Sequence, residues 1–299
     1  MAIVQLKRVW ESCKRMDRDH YITIRDINHY CWIVEDVEIR LDDNDVISLC
    51  LWVLQLQQDG AKCVLKDKRD PPPPESGLSQ DSFVMCVQTK FQQNRFQALG
   101  KGFVSIDATH NTTQYAGLHL FSILVRDQWG HGALRGVFPY TDAYVHSTTG
   151  VPVTWMLSSN GTEATIMFFL NFVKTRNPEI SPAIVMTNRD KAQMNAITAV
   201  YLVSVVLLCW WHMLRAIRMH FRTEEFPEVW EHIRTWIKTS DQILFDQIWQ
   251  ELQTDASVPQ SLVDYLKVNW MGIVPLWSGI HRKNRLIFQE GDTNMLIES

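Results

Sequence analysis

Gly102-Phe-Val-Ser-Ile-Asp-Ala-Thr109 is an apolar run that turns polar at its end, the pattern of a buried strand finishing on Asp107. The segments around it take their places from this strand. Residues 83–89 alternate as a strand, and 91–99 read as a short helix closed by Gly100. Two more strands are expected at 118–125 and 151–157. After them come a helix at 162–174 with Glu163 in its first turn, a strand at 183–187, a helix at 191–199 and a strand at 203–210. A further helix opens at 212–221. Strands in succession followed by strand–helix alternation predict an α/β fold, a mixed sheet with helices packed on its faces.

The flanks are helical. Ile3, Val4, Leu6, Val9 and Trp10 form a helical stripe, and Thr23 with Asp26 resembles a capping box opening a second helix that runs to residue 39. Asp43 or Asn44 then caps a third helix, with an apolar face of Val46, Ile47, Leu51, Val53 and Leu54, stopped by Gly60. This region, 1–60, reads either as a small DNA-binding bundle or as a helical platform. Residues 61–81 read as a Pro-rich linker. Cys63 to Leu65 is a candidate short strand, Lys66 to Arg69 is charged, and the prolines at 71–74 impose extended geometry. The basic tetrad at 66–69 is interrupted by Asp67; it is a weak nuclear-import signal and reads as solvated linker. From residue 222 onward the pattern is helical again, at 228–238, 240–252 and 258–270.

Length and composition bound the function classes. A chain of 299 residues accommodates one large domain with an appendage, or two domains. Hydrophobic residues at 46% and charged residues at 21% exclude general disorder, and the twelve Trp are expected mostly in the core. A net charge of −4 suits a nucleic-acid enzyme only if it carries a local basic stripe. Six Cys without paired spacing, and a charged amphipathic stretch in place of a signal peptide, read as the reduced thiols of an intracellular protein. The longest apolar run, 200–211, is too short to span a bilayer and reads as a buried strand; no membrane is expected.

Few residues are placed to do chemistry. A carboxylate at the end of an apolar strand, as at Asp107, is costly to desolvate unless it faces a mouth, a cation or donors. Strand ends are where α/β sheets bind ligands, although Asp107 capping a turn is the other reading. Met186-Thr-Asn-Arg-Asp190 repeats the arrangement; if the two strands are neighbours, Asp107 and this turn converge on a metal-sized space. Two-metal phosphoryl chemistry needs several carboxylates as hard oxygen ligands, yet an amide, Asn188, stands at this strand end. Cys209-Trp-Trp-His212 has a zinc-like spacing with too few ligands. His212 reads as a helper at a neighbouring site or as a hydrogen-bonded His. Glu298 carries no signal by itself.

An ordered set of motifs resembles the transposase domain of Mutator-like elements. They are Ile106-Asp-Ala-Thr-His-Asn111 with Tyr115 and Gly117, Val151-Pro-Val-Thr-Trp155, Met186-Thr-Asn-Arg-Asp-Lys-Ala192, Cys209-Trp-Trp-His212 with Arg215, and Thr293-Asn294 with Glu298-Ser299. The resemblance covers 83–299 and implies a ribonuclease H-like fold with a D-D-E triad, a Cys/Asp-x-x-His motif, and a helical insertion before the last acid. It assigns 82–299 to the transposase domain, with the insertion at 221–292. Asp107 matches the first acid, Asn188 occupies the second position, Glu298 matches the third, and Cys209 and His212 match the intervening pair. The implied reaction is phosphoryl transfer in DNA transposition and recombination, with Mg²⁺ or Mn²⁺ held by the triad and activating water and then a DNA 3′-hydroxyl. The implied partner is DNA at transposon ends, the implied location the nucleus, and a homo-oligomer is compatible with both.

The chain departs from that pattern. Asn188 keeps the shape of Asp but removes a charge, which predicts weakened metal binding and a large loss of rate. Asp190 substitutes as a ligand only if the turn re-aims it, and capping the following helix is its ordinary role. Residues 133–150 read as an extra loop at a hairpin tip, where added length is tolerated. The chain stops directly after Glu298 and no zinc-finger-type module precedes Met1, both reading as a decayed or truncated copy. The expectation is an impaired transposase. The alternatives are a non-catalytic, transposase-derived DNA-binding or regulatory protein, and an unrelated α/β scaffold.

Overall fold

A computed structural model describes residues 40–110, 117–126 and 151–282. The chain divides into two compact units, 1–60 and 61–299.

In the first unit, helix α1 (Asp45–Gln58) begins where the Asn44 side chain accepts hydrogen bonds from the Val46 and Ile47 amides at 3.0 and 3.3 Å. It ends at Gly60, whose φ of 84° is left-handed. The buried stripe differs from the expected one. Ser48 and Val53 are buried and Leu49, Trp52 and Leu56 half-buried, whereas Val46, Ile47, Leu51 and Leu54 are exposed. The helix is apolar almost all round its middle, so periodicity alone does not select the side that is covered. The two earlier helices, expected around the stripe from Ile3 to Trp10 and from the Thr23 capping box to residue 39, lie outside the described residues.

The second unit is built on a seven-stranded sheet in the order β1-β2-β5-β4-β3-β6-β7. The strands are β1 (Lys62–Lys66), β2 (Val84–Gln88), β3 (Phe103–His110), β4 (His119–Val125), β5 (Val151–Ser158), β6 (Ile184–Thr187) and β7 (Val205–Leu208). β3, β4 and β5 are antiparallel neighbours, β6 lies parallel to β3 and β7 parallel to β6, while β1 and β2 extend the β5 edge antiparallel. This is the mixed α/β sheet expected from the strand pattern. The extra loop expected at 133–150 lies outside the described residues; the strands on either side of the undescribed stretch 127–150 pair, Val125 with Val151.

Helices α2 (Lys90–Leu99), α3 (Glu163–Arg176) and α4 (Lys191–Val200) supply one core with the sheet. Phe96 of α2, Phe169 and Val173 of α3, and Ala196 and Ile197 of α4 join Ile106, Phe121, Val153 and Val185 there. Side chains alternate along a strand, so Ile184, Met186 and Leu207 face the other side and form a small cluster with Cys209.

Helices α5 (Trp210–His220), α6 (Pro227–Lys238), α7 (Gln242–Thr254), α8 (Gln260–Asn269) and α9 (Val274–Trp277) follow. They enclose a second core rich in Trp, with Trp210, Trp236, Trp270 and Trp277 buried in it. Trp236 stacks on Phe245 and on Trp249, each at 5.2 Å, and meets Trp277 edge-on at 4.8 Å. The expectation of helices beyond residue 222 agrees with this region. Among the described residues, no helix is long and apolar enough to cross a membrane.

Two local expectations are corrected. The short strand expected at 63–65 is the longer β1, and Lys66 of the supposedly solvated tetrad, at its end, is only 2% exposed. Its Nζ donates to the carbonyls of Gln80 and Ser82, both at 2.8 Å, and of Asp67 at 3.2 Å. An ammonium tolerates burial when its donors are taken in this way. The run 200–211, expected as one buried strand, is four things: Val200 ends α4, Leu202 and Val203 are 80% exposed in a turn, only Val205–Leu208 is strand, and Trp210 and Trp211 begin the next helix. A parallel crossover needs such a turn between helix and strand, whatever its hydropathy.

Candidate functional site

Asp107 lies within β3, not at its end as the sequence suggested. β3 pairs in parallel with β6 only from Phe103↔Ile184 to Ser105↔Met186, but keeps its antiparallel partner β4 as far as His110↔His119. Asp107 therefore sits two residues beyond the point where β6 turns away. There the Ile106 carbonyl is taken by Gln193 Nε2 at 3.0 Å instead of by a strand. The Asp107 side chain is 6% exposed, and its Oδ1 accepts the Ala108 amide at 2.9 Å.

Asn188 follows β6 directly. By strand alternation from the Ser105↔Met186 pair, Asp107 and Asn188 belong to the same face of the sheet. β3 and β6 are neighbours, which is the condition under which Asp107 and the turn after β6 approach each other. Asn188 Oδ1 accepts the Asp190 amide at 3.0 Å, closing an Asx turn. Asp190 is the N-cap of α4, its side chain accepting from the Gln193 amide at 2.8 Å, which is the capping role weighed for it above.

Cys209 and His212 come from the start of α5. Cys209 is buried in the apolar cluster with Met186 and Leu207, and its amide donates to the Thr187 carbonyl at 2.9 Å. His212 Nε2 is 3.9 Å from Asp107 Oδ1, too long for a hydrogen bond. His212 Nδ1 is buried without a hydrogen-bond partner among the described residues, and the ring meets Trp211 edge-on at 4.9 Å. Burial, and after it the charge of Arg215, pushes the His212 imidazole down to about 4, so it is neutral at pH 7.

A cleft of about 390 Å³ opens here, with Asn188, Arg189, Asp190, Cys209, His212 and Trp270 in its wall. Arg189, to which no sequence motif assigns a role, is fixed in that wall. Its guanidinium lies 4.9 Å from the Trp270 ring centroid and donates to Asn269 Oδ1 at 3.0 Å. Those partners are some eighty positions further along the chain, so no local signal reveals them.

The described residues do not fit a divalent metal pair. Hard cations take several carboxylates, whereas this end of the sheet offers the Asp107 carboxylate, an amide oxygen already in a turn, a capping aspartate and an imidazole. Among the described residues, no three His, Cys, Asp or Glu side chains gather around one point, which also leaves the Cys209–His212 zinc reading without support. Glu298 lies outside the described residues. Comparison with protein-family models and with curated proteins returns no match for this chain.

Proposed function

We propose that the chain derives from a Mutator-like transposase with a ribonuclease H-like domain, and that its cleft served metal-dependent DNA strand cleavage and transfer, now impaired at Asn188. One observation carries this reading: Asp107 lies two residues past the last β3–β6 pair and Asn188 directly follows β6, with His212 3.9 Å from Asp107. The antiparallel β3-β4-β5 followed by parallel β6 and β7 supports it, being the kind of mixed sheet that the motif resemblance implies. The helices from α6 onward occupy the stretch where that resemblance expects an insertion. Such a protein would act on DNA in the nucleus, with Mg²⁺ or Mn²⁺ as the expected cofactor.

The amide costs the reaction a negative charge where transition-state cations must be held. Cleavage of labelled transposon-end DNA in Mg²⁺ or Mn²⁺ tests this with the native chain and Asn188→Asp. The expected result is weak or absent cutting by the native chain and a gain of at least ~100-fold in the variant, in line with one electrostatic contact in a transition state. If neither protein cuts while both still retain DNA, the catalytic reading is overturned. A second reading, a non-catalytic DNA-binding or regulatory descendant, is favoured by the Asn188 oxygen being engaged in its turn.

A further inference from the structure

The wall of the cleft carries a cation that the catalytic reading does not use. Arg189 is exposed, yet its planar head is set by the Trp270 face on one side and by Asn269 Oδ1 on the other. Holding a guanidinium in this way leaves further N–H donors of the fork available and removes part of the entropy lost on binding an anion.

The same device recurs along α5. Arg215 lies over Trp211 and Arg218 over Trp230, each 4.9 Å from the ring centroid. Trp211, Arg215 and Arg218 are spaced i, i+4, i+7 and so form one stripe of the helix, and Arg215 is one turn on from the cleft residue His212. Both arginines are exposed. Several stacked guanidinium groups along a surface suit a polyanion better than a single phosphate. In a chain of net charge −4 this stripe is a local exception. The opposing acids are limited: Asp107 is buried, and Asp190 has its charge turned to the N-terminus of α4.

We propose that Arg189, braced by Trp270 and Asn269, is a phosphate clamp through which the cleft grips the backbone of a DNA strand without a divalent cation. The proposal rests on DNA being the partner, as in the reading above. It gives Asn188 a second consequence: an amide next to the clamp does not repel a phosphate, whereas a carboxylate would.

Binding of a fluorescent single-stranded oligonucleotide, followed by anisotropy in EDTA over a range of NaCl, tests it with the full chain. The native protein binds. Arg189→Gln binds about tenfold more weakly, and the slope of log K against log salt becomes shallower by about 0.7, the loss of one phosphate contact to a single strand. Arg189→Lys recovers the slope but not the full affinity, because charge returns without the fork. Asn188→Asp weakens binding in EDTA, and Arg95→Gln on α2 leaves it unchanged. A purely structural Arg189 would change thermal stability without changing the slope. Native affinity and slope in Arg189→Gln overturn the clamp while leaving the DNA reading in place. Failure of the native chain to bind any DNA, with or without Mg²⁺, overturns both.

Discussion

At Lys66 an ammonium group is buried with its donors directed to the carbonyls of Asp67, Gln80 and Ser82. Those bonds tie the end of β1 to the far side of the proline loop. Lys66→Ala would leave the Ser82 carbonyl without its buried donor and the Asp67 and Gln80 carbonyls without theirs, and cost about 2 kcal/mol, read as a lower urea midpoint; an unchanged midpoint would contradict this role. His212 supplies a pH test. Its folded-state value of about 4 lies below the ordinary value near ~6.5, so the unfolded chain takes up the proton first. The stability contributed by the neutral ring is complete above pH ~6.5 and is lost as the pH falls towards the folded-state value, by on the order of 2–3 kcal/mol. Denaturation in EDTA across that window should show the fall, and His212→Phe should flatten it. A native chain equally stable at both ends of the window would contradict it. Neither role is written in the local sequence. Lys66 looks like any charged residue beside a proline run, and His212 acquires its environment from α5 and β3 together.

At the scale of elements, the strands were legible because an apolar run and the polar residues that end it are local, and β3, β4 and β5 lie close to the segments read at 102–109, 118–125 and 151–157. The end of β3 was not, because β4 continues to pair with it after β6 has left, and pairing is a property of two strands. The covered side of α1 was illegible for a related reason: a helix apolar on several sides takes its buried face from its neighbours. The turn Thr187-Asn-Arg-Asp190 combines both cases. Its capping aspartate was readable, its bridge to Trp270 was not. If Asp190 serves only as the α4 cap, Asp190→Ala costs about 1 kcal/mol and Asp190→Asn almost nothing, since both Asp and Asn cap well. Equal destabilisation by the two substitutions in a thermal melt would assign Asp190 another role.

Among the described residues two large cores share the work, one between the sheet and α2, α3 and α4, the other within the Trp-rich helices. Trp236 is at the middle of the second, and Trp236→Ala should cost ~3–5 kcal/mol, with Trp236→Phe much less damaging. Equal losses would mean that the site collapses around either side chain. The helical region also closes on itself. Arg282 lies over Trp210 and donates to the Leu208 carbonyl at the end of β7, a contact between residues 74 apart, while Trp210 Nε1 donates to the Trp277 carbonyl. Arg282 thus ties the end of the described helices back to the point where the chain leaves β7, as Arg189 ties Asn269 and Trp270 to the turn after β6. A helical region tied at both ends to the end of one strand keeps its seat when a loop between those ties changes length, because extending a loop between fixed points costs little. Evolution can rework the face that these helices present while the sheet beneath stays as it is.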